Sequence, residues 1–159
     1  MEKGELLKEL EKRTTSHGLL NYALEYYTSY ELIQRHHPEV TKYFAVKYYL
    51  LCHSLELSMK AWLKKRGATY SELKNLGHDL ERIMAVSYEK YHLLFDAKSQ
   101  AKIKMVNRHY SSKDFEYFLM STKTVPEITE LASTVKLLIS KARFDILLDG
   151  DPRKLKSLG

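Results

Sequence analysis

From Pro38 to Gly67 the chain runs PEVTKYFAVKYYLLCHSLELSMKAWLKKRG, with a helix start at one end and a helix stop at the other. Proline has the backbone angle of a first helical position, and Glu39 sets negative charge on the positive end of the helix dipole. Lys64, Lys65 and Arg66 complement the opposite end, and Gly67 accepts the left-handed conformation that closes a helix. Wound at ~100° per residue, the segment gathers Lys47, Ser54, Ser58 and Lys65 on one narrow strip and is apolar almost everywhere else. Such a helix is expected at the centre of a bundle, with the remaining chain packed around it.

The other segments supply the packing. Leu6, Leu7 and Leu10 mark a short amphipathic helix over residues 5 to 13, a detachable arm that Gly18 ends or bends. From Leu19 to about Arg35, Leu20, Ala23, Leu24, Tyr27 and Glu31 form one face, and Leu19, Tyr26, Tyr30 and Ile33 widen it. The width allows either burial on two sides or a tyrosine-rich contact with a second copy. Thr69 or Ser71 caps a short turn of helix through Leu76, and Gly77-His78-Asp79 opens a stripe of Leu80, Ile83, Met84, Ser87, Tyr88 and Tyr91. From Asp96 to Tyr110 a basic helix turns Ile103, Val106 and Tyr110 inward. The stretch SSKDFEYFLMSTKTV lacks helical period and reads as an extended crossing with Phe115, Tyr117 and Phe118 packed down. Pro126-Glu127 opens a last helix through Ile128, Leu131, Val135, Leu138, Ala142 and Ile146. The expectation is all-α: a four- to five-helix bundle around a long central helix, one domain over residues 1–150 and a basic flexible tail over 151–159.

Polar residues that fall within the apolar arc of the central helix are the candidate site. Glu56 is flanked there by Tyr49, Cys52, Met59 and Leu63, where an unpaired carboxylate is costly. Its partners are expected among His53, Lys60 and the distant His78-Asp79, since a helix N-terminus docked on the central helix points its histidine at Glu56. Asp79 is explained as a cap. A second candidate, for nucleic acid, is the basic helix with Lys98, Lys102, Lys104, Arg108 and His109.

The residues HSLELSMKAWLKKRG and SELKNLGHDLERIM resemble the HEPN superfamily of helical nucleotide- and RNA-associated domains. The likeness spans Lys47 to Ala85, about a quarter of the chain, and rests on His53, Glu56, Lys60, Gly67 and Gly77-His78-Asp79-Leu80. It implies a four- or five-helix bundle, frequent homodimers, and roles in RNA cleavage, toxin–antitoxin pairs or non-catalytic partner binding. A cognate protein of nucleotidyltransferase type is the partner implied by the toxin–antitoxin role. HEPN ribonucleases carry an arginine and a histidine with four to six residues between them, which stabilise phosphate charge and move protons at the 2′-hydroxyl. Here Arg108 is followed at once by His109, adjacent residues point ~100° apart on a helix, and Arg13 and His17 lie too close together at the wrong end. A binding or regulatory module for RNA, a nucleotide or a partner protein is therefore expected. The alternatives are a divergent metal-independent ribonuclease and a structural homodimeric scaffold.

Composition excludes other classes. With 159 residues, 44% hydrophobic and 29% charged, the chain is ordinary globular material with one sizeable core. Single Cys52 leaves no internal disulfide and reads as a small core residue. Charges scattered through MEKGELLKELEKR fit neither a signal peptide nor a spanning helix, so a cytoplasmic location without membrane contact is expected. The net charge of +6 permits a polyanionic ligand. No phosphate loop is present, His36-His37 lacks further ligands, and His53-x-x-Glu56 is half of a helical metal site, so no metal or cofactor is expected.

Overall fold

The computed structural model describes residues 2–117 and 124–148. Among them there are seven α-helices and no strand: α1 (Lys3–Arg13), α2 (Ser16–His36), α3 (Phe44–Lys65), α4 (Tyr70–Leu76), α5 (Leu80–Tyr91), α6 (Ala97–Ser111) and α7 (Ile128–Leu148). The central helix α3 packs against α2, α4, α5, α6 and α7. Five helices, α2, α3, α5, α6 and α7, carry most of the core, whose deepest side chains include Leu51, Leu55, Met59, Leu63, Leu80, Ile103, Leu131 and Leu138. No helix among the described residues is long and apolar enough to cross a membrane.

The stop of α3 follows from its sequence. Gly67 sits at φ 104°, Ala68 N–H donates to Leu63 C=O, and Gly67 N–H donates to Lys64 C=O, the paired bonds of a Schellman closure. The start differs from the expectation. Residues 38–43 are not helical, and α3 begins at Phe44. Proline disfavours helical angles in the residue before it, so Pro38 ends α2 at His36 instead of opening α3, with His37 at φ −136°, ψ 73°. Tyr43 then takes a left-handed conformation at φ 55° to turn the chain into α3. The Lys47 side chain holds this connection closed, donating to the carbonyls of His37 and Glu39. Lys47, Ser54 and Ser58 are thus buried. Ser54 Oγ donates to Ala23 C=O at 2.7 Å, a pair of small residues that lets α2 lie close on α3.

Three other expectations are corrected. The break between α1 and α2 falls at Thr14 and Thr15; Thr15 caps α2 by accepting from Gly18 N–H, so Gly18 lies inside the helix. Glu31 is exposed, while Tyr30 is buried in the protomer's own core and is unavailable to a second copy. Residues 112–117 form turns rather than an extended crossing, because Lys113 at φ 64° reverses the chain directly after α6. Phe115 is buried and stacked on Tyr48, but Tyr117 is 63% exposed. Phe118 and the tail at 151–159 lie outside the described residues.

The helices that present the site have their own local causes. Thr69 and Glu72 form a reciprocal capping box on α4. Gly77 at φ 58° makes the sharp turn to α5, and Asp79 caps α5 by accepting from Arg82 N–H. Asp96 caps α6 through Ser99. Glu127 caps α7 through the N–H groups of Thr129 and Glu130.

Candidate functional site

Glu56 is 2% exposed, midway along α3. Lys60, one turn on, donates to Oε1 at 2.7 Å and to Gly77 C=O at 2.7 Å, tying the α4–α5 turn to the central helix. That turn brings His78 to Glu56, with Nδ1 2.9 Å from Oε2. The Tyr110 hydroxyl, arriving from α6, also donates to Oε2. His53 Nδ1 stands 2.9 Å from that hydroxyl and 3.7 Å from Oε2, so its short bond is to the tyrosine. The structure thus brings together His53, Glu56, Lys60 and His78. Asp79 is one step removed: it accepts from Asn107 Nδ2 at 3.0 Å, while Asn107 Oδ1 accepts from Leu80 N–H at 2.7 Å.

These bonds dictate the tautomers. A carboxylate accepts only, and the single Tyr110 proton is spent on it. Both imidazoles must therefore carry their proton on Nδ1, His78 donating to Glu56 and His53 to Tyr110. Their Nε2 atoms have no protein partner among the described residues. Burial by itself raises the carboxyl pKa; the hydrogen bonds and the Lys60 charge outweigh it and hold Glu56 at about 2. Burial first, then the Glu56 charge, pushes the Tyr110 phenol up, and burial pushes up the Cys52 thiol. Near neutrality Glu56 is an anion that orients its neighbours and does not trade protons. His78, with its side chain 51% exposed, is the one member of this group open to solvent.

Tyr110 and Asn107 were absent from the sequence-based network. Tyr110 was legible only as an inward residue of α6, since its bond to Glu56 depends on how α6 docks across a separation of 54 residues. The aromatic setting of His53 was likewise hidden: Tyr26 meets it edge-on at 4.4 Å and Tyr49 stacks on it at 5.6 Å.

The basic helix is less uniform than expected. Lys98, Lys104 and Arg108 are exposed, but Lys98 and Lys104 lie ~120° apart around the axis. Lys102 is half-buried, with Nζ 3.4 Å from Glu130 C=O on α7. His109 is buried and does not belong to the basic face; its Nδ1 lies 2.9 Å from Asp114 Oδ2, and its ring lies against Phe115. Arg108 and His109 accordingly do not converge on one point. Among the described residues no group of three or more His, Cys, Asp and Glu is arranged to hold a metal ion.

Comparison of the chain with protein-family models, with curated proteins and with solved structures finds no significant match.

Proposed function

We propose that this chain is an HEPN-like binding and regulatory module that engages RNA without cleaving it. One observation carries the reading: α6 sends Arg108 to the surface and buries His109 against Asp114 and Phe115. The arrangement separates the two residue types that a HEPN ribonuclease uses together, and leaves the cation free to meet a phosphate. The module belongs, in this reading, to a toxin–antitoxin, defence or stress system with a nucleotidyltransferase-type partner. It pairs with a second copy through exposed α2 residues such as Leu32, Tyr30 being spent in its own core.

The test is the purified chain on structured and single-stranded RNA with chelator present. Binding without cleavage is expected, with affinity falling as salt rises because each phosphate contact releases counterions. Metal-independent cleavage would favour the runner-up, a divergent ribonuclease, which draws on the half-exposed His78 backed by the Glu56 carboxylate. Cleavage abolished by His78→Gln would establish that alternative.

A further inference from the structure

Beside the network runs a band of rings that neither the basic helix nor the Glu56 cluster explains. Tyr26 of α2 meets His53 edge-on, His53 stacks on Tyr49 at an interplanar angle of 7°, and Tyr49 and His78 both approach Tyr110, at 6.3 and 6.1 Å. Tyr110 is the buried keystone, while Tyr26, Tyr49 and His53 are half-buried and His78 is half-exposed. Tyr22, one helical turn before Tyr26, is 60% exposed. Both imidazoles use Nδ1 inward, and neither Nε2 has a hydrogen-bond partner among the described residues. The one carboxylate at the centre of the band, Glu56, is buried and neutralised by Lys60. At the rim, Glu116 lies near enough to Tyr49 to raise its phenol, behind the larger effect of burial.

We propose that this band is a stacking shelf for unpaired bases of single-stranded RNA. The inference rests on the RNA-binding reading above and names a different part of the molecule as its point of recognition. A duplex hides its base faces, whereas an unpaired base stacks on a tyrosine and needs a partner for its edge or for the adjoining 2′-hydroxyl. The Tyr26 and Tyr49 rings supply the first. The half-exposed imidazole of His78, held by Glu56 through Nδ1, supplies the second. On α6, Tyr110 anchors the shelf from within, and Arg108, ~160° away around the same helix, stands at the surface to take phosphate.

The experiment is fluorescence anisotropy of the full chain with a labelled single-stranded RNA ten-mer, the DNA ten-mer of the same sequence, and duplex RNA. The parent should bind single-stranded RNA tightest. The double variant Tyr26→Leu, Tyr49→Leu keeps apolar volume and should lose ~10-fold or more on the single strand, the scale of one lost base stack, with duplex affinity unchanged. Tyr22→Ser, at an exposed position that the fold does not need, should weaken the same ligand by less. Reversing Lys98, Lys104 and Arg108 to Glu should weaken all three ligands together. Single-strand affinity equal in the parent and the double variant, or a parent that binds duplex as tightly as single strand, would overturn the shelf and leave the RNA-binding module standing. Absence of binding to any of the three at low salt would overturn both.

Discussion

Glu56 draws its charge from its neighbours, and that dependence has a sign. Its pKa falls from an ordinary 4.5 to about 2, so the ionised form is favoured by folding. The contribution is fully present above pH 4.5 and is lost as the pH drops toward 2; a depression of this size corresponds to about 3 kcal/mol. Glu56→Gln should therefore melt well below the parent at pH 7, since it also strands the buried Lys60 ammonium. The gap between the two melting temperatures should narrow between pH 4.5 and 2. A gap constant over that range, in thermal melts followed by circular dichroism, would mean that the carboxylate is not held as an anion by this cluster. His78→Ala removes one bond at a half-exposed ring and should cost less, about 1 kcal/mol.

At the scale of elements, the α5–α6 pair hangs on Asn107, whose amide accepts from Leu80 N–H and donates to Asp79. Asn107→Ala leaves the first amide of α5 buried without an acceptor, which should cost about 2 kcal/mol in a urea titration with unchanged slope. A loss within experimental error would show that water reaches Leu80. What was legible in the sequence at this scale was whatever local chemistry decides. Gly67 announces its Schellman turn because the bonds close within a few residues, and Thr69 its capping box for the same reason. Pro38 misled because proline suits a helix start and equally ends the helix before it; what decides is the left-handed Tyr43 and the Lys47 side chain reaching back to His37 and Glu39. Glu56 was legible as a residue in need of partners, since burial of a charge demands them. Tyr110 and the ring band around His53 were not, because they depend on how α2 and α6 dock on α3.

At the scale of the whole molecule, the helices divide into a core and an addition. No residue of α1 is buried, and it packs on α4, with Glu11 as its polar anchor, paired with Lys64 and accepting from Tyr70 N–H at 2.5 Å. The same end of α3 is also tied to α7: Asp145 accepts from Trp62 Nε1 at 2.9 Å and holds Arg66 with both carboxylate oxygens. Trp62 is the single tryptophan and is packed near Phe95, so its fluorescence reports the core and not α1. A variant lacking α1 should consequently fold, with the emission maximum of the parent and a single cooperative melt. Losing one partly exposed ion pair and a lightly buried contact should lower the melting temperature by only a few degrees. A red-shifted Trp62 or a broadened transition would show instead that α1 is part of the cooperative unit. The five helices α2, α3, α5, α6 and α7 would then not be the whole of the core that the burial pattern describes.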